Sequence, residues 1–202
     1  MASEVKFIYF DLGGVLLSFT EAFAEMARFL DCSYEEFTKA FFKYNDVSCL
    51  GEITGQQLWF KINEELGEEK GDELEFTEFF TSECVRIDSM VRFVDEVKDK
   101  YSIGLFTNIQ LGIFEKNIKK GLIPEAEFKV IIKSCDEGLI KPNLEIYRIA
   151  QERCGFKANE ILLIDDFVEN VNAARKMGWH TVHFKTTDPE DSILVIKNHL
   201  LK

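Results

Sequence analysis

The 202-residue chain carries 36 acidic and 24 basic side chains, a formal charge of -12, and 46% of its residues are hydrophobic. That length buries one good core, or one core with a smaller attached domain. The acidic balance repels nucleic acid backbones and anionic membranes, so neither is expected as a partner; a pocket with a divalent cation, one lysine and helix N-termini still admits a phosphate ester.

Residues 5–17 open with an apolar, β-branched and aromatic run that ends at Asp11. It reads as a buried strand, Val5–Phe10, leading into a tight loop at Gly13 and Gly14. Phe19, Phe23, Met26, Ala27 and Leu30 then recur at helical spacing. Ser33, with Glu36 three places on, predicts a capped helix carrying Phe37, Ala40, Phe41 and Tyr44. Thr54 is the candidate cap of a helix with Leu58, Trp59, Ile62 and Leu66, and Gly67–Asp72 is a charged loop. Leu74–Val85 completes a stretch, roughly 17–87, that is expected to be helical throughout. Its aromatic rings are mainly core, with some free to shape a pocket.

Beyond it strands and helices alternate. Helical spacing over Met90–Val97 precedes a strand at Ser102–Phe106, and a helix over Ile113–Lys120 precedes a strand at Phe128–Ile132. Pro142 suits the first turn of a helix that stops at Gly155. Strand Ile161–Ile164 runs into Asp165 and Asp166; a helix through Val168–Met177, a strand at Thr181–Phe184 and a last helix from Asp188-Pro189 follow. This pattern predicts an α/β fold, a Rossmann-like, mostly parallel sheet sandwiched by helices with an inserted helical cap. The expected division is a catalytic core domain of 1–16 and 88–202 and a cap domain of 17–87.

The five cysteines, Cys32, Cys49, Cys84, Cys135 and Cys154, are odd in number and widely spaced, which argues against a disulfide scaffold or zinc site. No run approaches transmembrane length and no leader-like segment precedes the first strand, so a soluble cytoplasmic protein is expected.

Four features follow apolar strands or lie in the loops beyond them: Asp11, Thr107-Asn108, Lys141, and Asp165-Asp166 with Asn170. A parallel sheet gathers such carboxyl ends on one edge. Asp11 alone is also compatible with capping a helix. As an ordered set, Asp11 can attack phosphorus or hold Mg²⁺, Asp166 with Asp165 beside it can complete an oxygen-ligand site, Thr107 offers a hydroxyl to a phosphoryl oxygen, and Lys141 neutralises developing charge.

The segments Phe10–Val15, Leu105–Asn108, Gly138–Pro142 and Ile164–Asn170, with the helical insertion and its Gly51–Thr54 turn, resemble the haloacid-dehalogenase-like hydrolase superfamily over nearly the whole chain. They are most similar to the branch of glucose-1-phosphate phosphatase and the N-terminal phosphatase domain of soluble epoxide hydrolase. The resemblance implies that Asp11 is the nucleophile and forms an aspartyl-phosphate. Thr107 and Lys141 would bind the phosphoryl group, with Leu12, Gly13 and Asn108 in the same substrate-binding set. Asp11, the Gly13 carbonyl and Asp166 would hold Mg²⁺, supported by Asp165 and Asn170. The substrate would be a small phosphorylated metabolite, a sugar phosphate among the candidates.

Many phosphatases of that family carry an acid/base aspartate two residues after the nucleophile, where this chain has Gly13. General acid catalysis is typically worth about 10²–10⁴-fold. Two alternatives therefore stand beside the phosphatase reading: a 2-haloacid dehalogenase, which needs no metal, and a weakly active or inactive binding protein.

Overall fold

Residues 5–71 and 73–201 are described by the computed structural model. Residues 1–4, Asp72 and Lys202, which the expected ranges and the 67–72 loop include, lie outside the described residues. In chain order the elements are β1 (Phe7–Phe10), β2 (Leu17–Ser18), α1 (Thr20–Phe29), α2 (Tyr34–Cys49), α3 (Gly55–Leu66), α4 (Phe76–Ser82), β3 (Val85–Arg86), α5 (Asp88–Val97), β4 (Ser102–Thr107), α6 (Ile113–Lys119), β5 (Val130–Lys133), α7 (Ser134–Glu137), α8 (Leu144–Cys154), β6 (Ile161–Asp165), α9 (Val168–Lys176), β7 (His180–His183) and α10 (Pro189–Leu200), with one 3₁₀ turn at Ala158–Glu160.

All four side chains of β1 are buried, which suits a strand covered on both faces. It lies at the centre of a five-stranded sheet of order β5-β4-β1-β6-β7, and every pairing in that sheet is parallel. Because side chains alternate across a strand, Ile8 and Phe10 enter one apolar cluster while Phe7 and Tyr9 enter another on the opposite face. On the second face Tyr9 stacks on Trp179 at 5.7 Å, and its hydroxyl donates to the Ala150 carbonyl at 2.7 Å. On the first face the cluster continues past the sheet, from Phe10, Phe93 and Ile164 to Phe23, Phe37, Trp59 and Phe80 of the helices between β2 and β3.

Both expected helix starts carry reciprocal caps. Ser33 and Glu36 exchange side-chain and backbone hydrogen bonds at the start of α2, and Thr54 and Gln57 do so at α3. Three local expectations are corrected. The 17–87 stretch is not helical throughout: Leu17–Ser18 and Val85–Arg86 form a short antiparallel ladder where the chain enters and leaves it. Helix α4 is shorter than Leu74–Val85, because the Glu75 carboxylate accepts from the backbone N–H groups of Thr77 and Glu78 and so starts the helix at Phe76. Pro142 lies in a turn closed by Asn143 N–H donating to the Ile140 carbonyl, and α8 begins only after Asn143, whose side chain caps it. Among the described residues, no helix is long and apolar enough to cross a membrane.

Candidate active site

Parallel strand order decides which residues meet. Asp11 directly follows β1, Thr107 ends β4 and Asp165 ends β6, so all three emerge at one edge of the sheet. The loops after these strands, with the segment following α7, enclose a cavity of about 620 Å³. Asp11, Gly13, Thr107, Asn108, Lys141, Asp166 and Asn170 all line it. Two expected residues do not. Leu12 turns its side chain into the apolar cluster and reaches Asp11 only through its backbone N–H, which donates to Oδ1 at 2.7 Å. Asp165 is wholly buried behind the cavity wall.

Lys141 ties the site together. Its Nζ lies 3.0 Å from Asp11 Oδ2 and donates to Asp165 Oδ2 at 2.6 Å and to the Phe106 carbonyl at 2.8 Å. Burial acts to lower the pKa of this ammonium, but the charges of Asp11 and Asp165 outweigh it and hold the group above its ordinary value. The Asn108 side chain clamps the Lys141 backbone from both sides: its Nδ2 donates to the Lys141 carbonyl at 2.9 Å, and its Oδ1 accepts from the Lys141 N–H at 2.8 Å. Asn108 therefore positions Lys141, with its amide already engaged. Asp165 is similarly committed, accepting from Lys141, from Asn170 Nδ2 at 2.9 and 3.2 Å, and from the Phe167 N–H at 2.9 Å.

Asp11, Asp165 and Asp166 each place one carboxylate oxygen within 4.8 Å of the others, close enough for carboxylates to share one divalent cation. Burial raises the Asp11 carboxyl well above the usual range; Lys141 opposes this, and the charges of Asp165 and Asp166 add to it. Asp166 is pushed up to about 6, by burial first and then by Asp165. Its Oδ1 is buried with no hydrogen-bond partner. An unpartnered buried carboxylate oxygen is costly, and a bound cation would both satisfy it and remove the mutual repulsion. Hard oxygen donors of this kind fit Mg²⁺. Since Asp165 is filled by four donated hydrogen bonds, Asp11 and Asp166 are the carboxylates with oxygen left to offer.

The loop after β1 is held close to these groups. A Cβ on Gly14, whose φ is +73°, would stand 2.0 Å from Asp166 Oδ2, so only glycine lets the backbone pass. Thr186 donates its hydroxyl to the Gly14 carbonyl at 2.6 Å. Several contributors carry no sequence signal because they meet through space. Gln110 Nε2 donates to Asn45 Oδ1 at 2.7 Å, joining the loop after β4 to α2 beside the cavity. Ser134 Oγ donates to the Cys49 carbonyl at 2.7 Å and accepts from the Ile109 N–H at 2.9 Å, a second tie between the same parts. Phe19, Phe23, Phe41, Phe42 and Phe80 line the far side of the cavity.

Comparison with known proteins places this architecture. Residues 5–178 match the family described as haloacid dehalogenase-like hydrolase. The sesquiterpene phosphatase astK of Aspergillus oryzae is 26% identical over 192 residues, 91% of each chain. The rat bifunctional epoxide hydrolase 2 is 38% identical over 60 residues, 30% of this chain. The partial matches of this kind span only 9–11% of the relatives' own length. A haloacid-dehalogenase-family enzyme of Bacteroides thetaiotaomicron, solved with magnesium and inorganic phosphate, superposes with a TM-score of 0.68 at 24% identity, covering 90% of this chain and 95% of its own.

Proposed function

Given that the chain belongs to the haloacid dehalogenase-like hydrolase family, we propose that it is a Mg²⁺-dependent phosphomonoester hydrolase of a small metabolite, working through an aspartyl-phosphate on Asp11. The observation that carries this reading is the cluster of three carboxylates beside the buried Lys141, with Asp166 Oδ1 left unpartnered. The phosphatase name of the Aspergillus relative and the magnesium and phosphate bound by the Bacteroides enzyme support it. A dehalogenase needs no cation, and three crowded carboxylates weigh against that alternative.

In this reading Asp11, the Gly13 carbonyl and Asp166 hold Mg²⁺, while Asp165 and Asn170 support them. The ion, when bound, offsets repulsion between the nucleophile and the phosphate dianion. Lys141 and the Thr107 hydroxyl bind phosphoryl oxygens, with backbone groups at Leu12, Gly13 and Asn108 beside them. An Asp11 oxygen forms a bond to phosphorus as the bond to the leaving oxygen breaks. That oxygen departs with the electron pair and takes its proton from water, a substrate hydroxyl or a residue of the 17–87 segment, since Gly13 supplies no acid. Water then hydrolyses the acyl phosphate and frees Asp11. Residues 1–16 and 88–202 act as the catalytic core domain and 17–87 as a helical cap domain. The five cysteines are free thiols, which fits a reducing cytoplasm.

The test is a set of small phosphomonoesters, sugar phosphates included, assayed with and without Mg²⁺. Hydrolysis should disappear in exhaustive chelator and in Asp11→Asn, and turnover quenched in acid should leave phosphate on Asp11. Full activity in chelator, or an active Asp11→Asn protein, would overturn the reading.

A further inference from the structure

We propose that this cavity selects a phosphomonoester whose leaving group is an uncharged apolar body, and that Phe19 is a specificity-determining residue, its ring filling the side-chain space of position 13. The inference rests on the phosphatase reading for the identity of the phosphoryl end, and on separate observations for the rest.

The first observation is steric. A Cβ placed on Gly13 would meet Phe19 Cε2 at 2.6 Å and Cζ at 3.1 Å. The volume in which an acidic side chain would begin is therefore occupied by an aromatic ring. That ring is itself buttressed, packing on Phe80 with centroids 5.1 Å apart. The glycine and the phenylalanine are complementary: one lacks a side chain where the other supplies a wall.

The second observation concerns the wall beyond Phe19. Phe23 packs on Phe41 at 4.7 Å, and Phe42 meets Phe41 edge-on at 5.4 Å. These rings continue the apolar lining outward to Tyr34 and, across the cavity, Phe167. Phe42, Tyr34 and Phe167 remain 51%, 45% and 49% exposed. Three large rings left half in water around one cavity form an apolar rim that a hydrocarbon or aromatic body would cover, and removing that surface from water favours such a body.

The third observation is the charge balance. Among the described lining residues Lys141 is the one lysine or arginine, and its ammonium is already engaged by Asp11, Asp165 and the Phe106 carbonyl. Asp46 and Glu169 line the same space. A second anionic group on the substrate would meet carboxylates and no free cation. A polyol fares little better. Asn45 and Gln110 are hydrogen-bonded to each other, Ser18 Oγ to Thr20 Oγ1, and Thr186 to the Gly14 carbonyl. Sugar hydroxyls laid over the Phe19, Phe23, Phe41 and Phe42 faces would lose water there, with Asp46 and Glu169 the lining carboxylates able to accept from them.

Calorimetric binding to the Asp11→Asn protein in Mg²⁺ reads this preference without turnover, using 1-naphthyl phosphate, hexyl phosphate, glucose 6-phosphate and glycerol 3-phosphate. The two apolar esters should bind at least about 10-fold more tightly than the two polyol esters. Adding Phe42→Ala or Phe19→Ala should shrink that ratio by about 3- to 10-fold, the range of one aromatic contact. Phe42 is half exposed, so its truncation keeps the experiment interpretable if the Phe19 variant unfolds. Equal or tighter binding of the polyol esters would overturn the inference, as would ratios that neither variant changes. Failure of the wild-type protein to hydrolyse any ester would count against the phosphatase reading, while the binding ratio would still decide the leaving-group preference.

Discussion

Removing the Lys141 ammonium would strand two carboxylates, because Asp11 and Asp165 both face it from buried positions. Breaking a buried pair from one side costs about 3–5 kcal/mol, more than the pair itself contributes over a well-packed apolar replacement. Lys141→Met should therefore lower the free energy of unfolding by about that amount in urea titrations at neutral pH, besides abolishing activity. A loss under about 1 kcal/mol would mean that the carboxylates find other partners or take up protons cheaply. Asp11, Thr107, Lys141 and the Asp165-Asp166 pair were legible in the sequence because each ends, or lies in the loop beyond, an apolar run, and parallel strands gather such ends. Phe19 was not, because its role depends on a loop path from Gly13 that no local pattern specifies. Leu12 was assigned to substrate, yet its apolar side chain found the core and left only its N–H at the site. Asn108 stood at the right place, but its amide serves the Lys141 backbone.

At the scale of elements, the capping boxes at Ser33 and Thr54 were readable because their partners lie three residues away. The start of α4 was less so: Glu75 is an unusual cap, and its other partner, Lys116 at 2.8 Å, comes from α6. Burial would raise the Glu75 pKa, but Lys116, the Thr77 hydroxyl and the N–H groups of Glu78 and Thr77 prevail and hold it down at about 2, against an ordinary 4.5. A carboxyl depressed by folding contributes its full share above the unfolded value and loses it as pH falls through the folded one. The protein should thus lose stability from this group between about pH 4.5 and about pH 2. Glu75→Gln should flatten the stability profile within that window and lower stability at neutral pH by the same amount, a modest one because the side chain is 54% exposed and its ion pair is screened. An unchanged acid slope in denaturant titrations would refute the assignment. The ladder of Leu17–Ser18 with Val85–Arg86 escaped the sequence because two residues per strand leave no alternation to detect.

Across the whole molecule, the apolar cluster on one face of the sheet runs uninterrupted into the helices between β2 and β3, while the other face has its own cluster around Tyr9 and Trp179. The strands are common to both, so the core and the helical segment should unfold together. The two tryptophans report this directly: Trp59 lies in α3 and Trp179 beside β7. Variants keeping one tryptophan each, Trp179→Phe and Trp59→Phe, should give urea transitions by fluorescence that coincide with the far-ultraviolet dichroism of the same variant. Distinct transitions would show that the helical segment melts by itself. The same β2–β3 ladder has a topological consequence. Everything between Ser18 and Val85 departs from and returns to one point on the chain, so to the parallel sheet it is a closed loop with coincident ends. The entropy of closing such a loop grows only logarithmically with its length, about 0.6 kcal/mol for each doubling. A lineage could lengthen, shorten or exchange the segment without altering the register of any sheet strand, provided the replacement still covers the apolar face beneath. The helical segment and the sheet beneath it can then diverge on separate evolutionary clocks.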